Sequence, residues 1–147
     1  MNSEVTIIMS QVWQHPDIIW TILKNISTLE PFIIFSNTPV YILYKGNFMI
    51  GFVCIKKWNH IIELRSLYVS PTERGHGYAK LLCEQITQEF PGVYLLCRPD
   101  LVPLYSKCRF SAITNPVGVM KTRLQLNTWF IGPFTGYKIV VMKNNPR

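Results

Sequence analysis

From end to end, the chain alternates between short apolar runs and turn signals. Val5, Ile7 and Met9 fall at every second position of Glu4–Gln11, which predicts a first strand. Pro16 and Asp17 then suit the first turn of a helix, where a missing N–H costs nothing and a carboxylate meets the positive end of the dipole. Ile18, Ile19, Ile22, Leu23 and Ile26 give that helix its apolar stripe, and Ser27–Phe35 reads as a second short helix containing Pro31. Val40–Tyr44 and Phe48–Ile55 are rich in β-formers and flank Gly46-Asn47, so they read as a hairpin with a short turn. Asn59-His60 marks the next turn and Ile61–Val69 the next strand, ended by Pro71. Within it Ile62, Leu64 and Ser66 alternate with Ile61, Glu63, Arg65 and Leu67.

The spacing predicts its clearest helix over residues 77–90, with Tyr78, Leu82, Ile86 and Phe90 four apart and Cys83 beside them. Pro91-Gly92 stops it. Val93–Cys97 follows as a strand, Pro99–Lys107 as a short helix, and Phe110–Ile113 and Tyr137–Met142 as two final strands. The long stretch between those two strands carries no predicted element; it mixes Trp129, Phe130, Phe134 and Tyr137 with Gly132, Pro133 and Gly136. Hairpins come early and helical connections late. That order predicts an α/β fold with a mixed sheet covered by helices. No internal repeat, low-complexity tract or linker divides the chain, so residues 1–147 read as one domain.

Composition narrows the picture. The 48% of hydrophobic residues excludes a mainly disordered chain. Charged residues are only 16%, against about 25% in an average globular protein, so part of the surface is a candidate for cover by an apolar ligand or another subunit. The 15 Lys+Arg and 8 Asp+Glu give a net charge of +7, but the basic residues are scattered singly or in pairs such as Lys56-Lys57. Nucleic-acid binding, which needs them gathered on one face, is therefore not expected. No apolar run is long enough to span a membrane, and the opening residues lack a basic n-region, so a cytoplasmic location is expected. Cys54, Cys83, Cys97 and Cys108 are widely spaced, and His15, His60 and His76 do not flank them as metal ligands would. The apolar neighbours of Cys54, Cys83 and Cys97 predict buried free thiols in a reducing compartment, and no metal is expected.

The chemistry concentrates in Leu67–Ala79, LYVSPTERGHGYA. A strand ends, Pro71, Thr72 and Glu73 turn the chain, and Arg74-Gly75-His76-Gly77-Tyr78-Ala79 opens a helix. Two glycines let the backbone approach a ligand closely, and the first-turn amides have no partner within the helix. With the helix dipole and Arg74 they make an anion site suited to a diphosphate. It is not a Walker loop, which ends in Gly-Lys-Ser/Thr, nor a dinucleotide fingerprint, since Lys80 stands where the third glycine would be.

In these residues the chain resembles the GNAT superfamily of acyl-CoA-dependent N-acetyltransferases. Arg74, Gly77 and Ala79 match the family's Gln/Arg-x-x-Gly-x-Gly/Ala signature, placed after a strand ending Leu-Tyr-Val-x-Pro. Downstream, Leu101–Phe110 resembles its Val-Pro-Phe-Tyr-x-x-x-Gly-Phe segment, and Val140–Lys143 its usual last strand. The resemblance covers roughly residues 40–143. It implies a mostly antiparallel sheet of about seven strands flanked by helices, splayed in the middle to admit CoA. Acetyl-CoA is the implied cosubstrate, with its pantetheine arm against the backbone of Leu67, Tyr68 and Val69 and its diphosphate on Arg74, Gly75, His76, Gly77, Tyr78 and Ala79. An N–H at Val69 is the implied oxyanion donor. Tyr105 is the candidate general acid for the leaving thiolate.

Glu63 occupies the strand where many members carry a base; an ion pair with Arg65, on the same side by alternation, competes with that role. One departure stands out: Arg109 replaces the family's helix-capping glycine, so either it accepts strain at positive φ or the helix ends differently. The implied acceptor is a small-molecule primary amine. A protein or aminoacyl-tRNA amine, and a non-catalytic acyl-CoA-binding module, are the alternatives. The Leu126–Tyr137 aromatics could line the amine pocket, cover a homodimer contact or fold back on the core.

Overall fold

The computed structural model describes residues 4–25, 34, 37–136 and 138–146. Seven strands form one sheet: β1 (Val5–Gln11), β2 (Pro39–Lys45), β3 (Phe48–Trp58), β4 (Ile61–Val69), β5 (Tyr94–Cys97), β6 (Phe110–Ala112) and β7 (Val140–Asn144). Their order is β1-β2-β3-β4-β5-β7-β6, mostly antiparallel. The helices are α1 (Pro16–Lys24), α2 (Tyr78–Glu89), α3 (Val102–Ser106), α4 (Gly118–Leu126) and α5 (Gly132–Thr135), with a π-helical turn at Asn127–Ile131. The mixed α/β class read from the sequence is the one observed.

Two compact units interleave along the chain. The first comprises residues 1–56 and 64–82, the second residues 57–63 and 83–147. In the first unit β1 pairs with β2 and β2 with β3. The two-residue turn Gly46-Asn47 closes the second pair, and Gly46 takes the positive φ of +60° that such a turn needs. Val12, Ile18, Ile22, Val40, Ile42, Phe52 and Cys54 form its core, each with no exposed surface. Phe52 stacks on Tyr68 at 5.4 Å. α1 begins at Pro16, with Asp17 in its first turn and Lys24 in its last, each charge matched to the dipole. Its buried face is narrower than the predicted stripe: Ile18 and Ile22 are buried, whereas Leu23 is exposed. Ile26 and all of the expected Ser27–Phe35 helix except Ile34 lie outside the described residues.

In the second unit β7 pairs with both β5 and β6. Tyr94, Met120 and Val141 are the buried centre, with Ile61, Leu96, Ile113, Val119 and Leu124 packed on it. The stretch after β6, read as irregular, holds α4, the π-turn and α5. Only Met120 of α4 is fully buried, and no side chain caps its start, so neither periodicity nor a capping residue announced it. Trp129, Phe130 and Phe134 are exposed, so they do not fold back on the core. The last strand starts at Val140, later than expected, and Tyr137 lies outside the described residues.

Candidate active site

In the first unit, β4 delivers Leu67, Tyr68 and buried Val69 to a turn at Pro71–Glu73, after which residues 74–77 run exposed into α2. The Ser70 amide donates to the Ile50 carbonyl at 2.8 Å, and the Glu73 amide to the Ser70 carbonyl at 2.9 Å, which fixes the turn. Lys45 Nζ meets the Glu73 carboxylate at 3.1 Å; that hydrogen bond raises the Lys45 pKa. Arg74 Nε donates to the Val69 carbonyl at 3.1 Å, so the cation is tethered to the last residue of β4. His76 Nδ1 lies 3.1 Å from the Glu73 carbonyl, and its ring stacks on Tyr78.

Gly75 and Gly77 both have φ +82°, a left-handed conformation that strains any L side chain, and nothing lies within 4 Å of where a Cβ would stand. The glycines are therefore required by backbone shape, and the space above them is open. The first bond of α2 runs from the Leu81 amide to the Gly77 carbonyl at 3.0 Å. Tyr78 and Ala79 precede it at the very start of α2, where an α-helix supplies its amides with no carbonyl one turn back. A hollow of about 540 Å³ borders the same turn, with Lys45, Phe48, Ser70, Thr72 and Glu73 in its wall. Its lining includes none of residues 74–79, so it is distinct from the glycine cradle.

β4 carries an irregularity that alternation did not foresee: Ser66 has φ +25°. Glu63 and Leu64, neighbours in sequence, are both buried.

The second unit holds Tyr105 and Glu63. Tyr105 sits on α3, 7% exposed, edge-on to Phe110 at 5.9 Å. Burial first, then the sulfurs of Cys83, Cys97 and Cys108, push its phenol far above the usual value, so it stays protonated throughout the physiological range. All four cysteines are free and buried, as expected for Cys54, Cys83 and Cys97. Burial pushes the Cys97 thiol up to about 11, and a hydrogen bond with Cys108, then burial, raises Cys83. Groups held as thiols are poor nucleophiles.

Arg109 does take the left-handed conformation, φ +65°, in the position where the resemblance implies glycine. The turn after α3 is held by the end of β7 and the residue beyond it: Asn144 Nδ2 donates to the Cys108 carbonyl at 3.3 Å and the Asn145 amide to the Arg109 carbonyl at 3.1 Å. The strain of an L side chain there is about 1–2 kcal/mol, part of which the greater freedom of an unfolded glycine would offset. Arg109→Gly is therefore expected to stabilise the fold by roughly 0.5–1 kcal/mol, read as a rise in Tm. An unchanged or lower Tm would show that the arginine side chain contributes more than its backbone costs.

Glu63 is 1% exposed. Trp58 Nε1 donates to its Oε2 at 2.8 Å, and Arg123 Nε lies 3.3 Å from Oε1. Burial raises its pKa, while Arg123 and the Trp58 hydrogen bond act the other way. With the folded pKa above the unfolded one, this group's contribution to stability is full at acid pH and falls as pH rises through the folded value. The cation set against Glu63 is thus Arg123 on α4, where the sequence had suggested Arg65. Trp58 and Arg123 were both missed. Arg123 stands 60 residues from Glu63, in a helix with no readable signal; Trp58 reaches it across the Asn59-His60 turn, where Asn59 takes φ +46°. Among the described residues no group of three His, Cys, Asp or Glu side chains is placed to hold a metal, and no helix is long and apolar enough to cross a membrane.

A model of the Acetyltransferase (GNAT) family matches residues 9–110, more than half of the chain. No curated protein matches. Many solved structures do. An IAA acetyltransferase from Bacillus cereus is 15% identical, with a TM-score of 0.70 over 97% of this chain and 100% of its own. A Bacillus anthracis structure in complex with acetyl coenzyme A is 21% identical, with a TM-score of 0.59 over 76% of this chain and 64% of its own. The N-acetylglutamate synthase of Neisseria gonorrhoeae, complexed with coenzyme A and N-acetyl-glutamate, is 15% identical. Its TM-score is 0.65 over 96% of this chain, but the match spans 35% of the longer protein. At these identities the likeness is one of fold.

Proposed function

Because the chain belongs to the GNAT acetyltransferase family, we propose that it transfers the acetyl group of acetyl-CoA to a primary amine of a small molecule, by direct attack with both substrates bound. The observation that carries this reading is the exposed cradle at residues 74–79, with two left-handed glycines under open space and a tethered arginine beside them. Acetyl-CoA fits it: the diphosphate takes the amides of the cradle, and the pantetheine amides pair with the backbone of Leu67, Tyr68 and Val69 as an added strand would. The Val69 N–H is the proposed donor to the thioester oxygen.

The balance of the step is simple. The amine nitrogen attacks the thioester carbon, an N–C bond forms and the C–S bond breaks. Tyr105 gives its proton to the departing thiolate, and Glu63 takes the proton of the attacking nitrogen through a water. Tyr105 keeps its proton throughout the working range and so has one to give, and burial raises the pKa of Glu63, which favours its holding the proton it accepts. Holding two substrates together supplies much of the acceleration.

The test is mass-spectrometric detection of acetylated products from a panel of small primary amines incubated with protein and acetyl-CoA. Amine-dependent product is expected. No product from any amine, with acetyl-CoA bound, would reject the small-molecule reading. Within the cradle, Arg74→Ala removes a charged partner worth about 1.5–3 kcal/mol, so acetyl-CoA affinity is expected to fall about 10-fold or more. Unchanged affinity by calorimetry would place the diphosphate elsewhere.

A further inference from the structure

α4 has no part in the donor cradle, yet it sends one cation into the hairpin that carries Glu63. Arg123 Nε stands 3.3 Å from Glu63 Oε1, with the arginine side chain only 15% exposed and the carboxylate 1% exposed. Trp58 holds the other oxygen at 2.8 Å. The carboxylate is therefore gripped from two elements, one oxygen each. About four lone-pair sites on a carboxylate leave room for a relay water beside the one Trp58 hydrogen bond and the Arg123 charge. The grip is built, since Met120, one turn before Arg123 on the same side of α4, is fully buried against Tyr94 and Val141. That burial sets the rotation of the helix, and so the direction in which Arg123 points.

We propose that Arg123, supported by Trp58, is a positioning residue that keeps Glu63 as an aimed carboxylate inside a buried site, and that the helical segment after β6 exists in part to supply it. The proposal rests on reading Glu63 as the base. The physical need is plain. Taken out of water without compensation, a carboxyl group becomes neutral near pH 7 and cannot accept a proton. The groups that act on Glu63 are Arg123 from α4, a full charge, and Trp58 from β3, a neutral donor; both oppose the effect of burial. A guanidinium does not lose its proton in the working range, so its effect persists at every pH of interest. A simple structural latch would need none of this. Its loss would lower stability and leave the pH dependence of turnover where it was.

The experiment uses the full chain in five forms: wild type, Arg123→Met, Arg123→Lys, Trp58→Phe and Glu63→Gln. Glu63 is titrated by NMR with ¹³C-labelled glutamate, its signal assigned by its absence in Glu63→Gln. The pH–rate profile is measured with the best amine of the panel. In Arg123→Met the Glu63 titration and the acid limb of the rate profile are expected to move up together, by about one pH unit or more. Arg123→Lys should restore most of the shift, and Trp58→Phe should show a smaller one. If Arg123→Met does not fold, the Lys and Phe variants carry the same comparison. A titration that moves while the rate limb stays would overturn the proposal, because the limb would then belong to a group other than Glu63. A limb and titration that both stay would overturn it too. Full turnover by Glu63→Gln would instead remove the base assignment on which it stands.

Discussion

Tyr105→Phe is expected to lower turnover by about 10²–10⁴-fold, the usual span for losing a positioned acid, while acetyl-CoA binds almost as before. The change removes one oxygen from a ring that is 7% exposed and packed edge-on to Phe110, so the shape of α3 and its contacts are retained. The proposed donor cradle, at residues 67–79, contains none of the atoms removed. The loss should therefore fall on kcat, because a proton to the departing thiolate matters only as the C–S bond breaks. The pH dependence adds a second check. Burial holds the phenol far above its usual value, so no basic limb from Tyr105 is expected in the wild-type profile below the ordinary range of a tyrosine. Turnover by Tyr105→Phe equal to wild type would take the residue out of the chemistry, and a loss confined to KM would make it a binding residue.

Gly51→Ala is expected to damage fold and donor binding together. Gly51 lies in β3, and a Cβ there would come 2.7 Å from the Tyr68 carbonyl oxygen and 3.5 Å from the Val69 Cα. The atom in the way is backbone, which cannot swing aside as a flexible side chain would. Overpacking of this kind costs about 1–3 kcal/mol. The displaced residues are the ones proposed to pair with the pantetheine arm, so acetyl-CoA affinity should drop with the melting temperature. A fall in Tm with affinity intact would separate Tyr68 and Val69 from donor binding. An unchanged Tm would mean that β4 moves freely at this point.

What could be read from the chain followed the strength of local signals. β1 to β4 were legible because period-two patterning and the turn pairs Gly46-Asn47 and Asn59-His60 agree with each other. α2 was legible because Leu82, Cys83 and Ile86 form its fully buried face and Pro91-Gly92 follows its end. The turn into α2 was legible for a different reason: left-handed backbone demands glycine, and the two glycines at 75 and 77 announce it. α4 was not, since one buried methionine makes no stripe. The partner of Glu63 was misread because alternation along a strand names neighbours two residues away, whereas Arg123 arrives from a separate helix. The tie of Asn144 to the turn after α3 was equally hidden, because it joins two distant segments through one side-chain amide.

The central claim is that residues 67–79 bind acetyl-CoA through both its diphosphate and its pantetheine arm. Titration calorimetry of the full chain tests it most directly, with acetyl-CoA, acetyl-pantetheine and adenosine 3′,5′-bisphosphate as ligands and Arg74→Ala as the altered cradle. Saturable one-site binding of acetyl-CoA is predicted, far tighter than either fragment and weakened in Arg74→Ala. No binding of acetyl-CoA by folded protein, or equal affinity for acetyl-CoA and acetyl-pantetheine, would contradict the account.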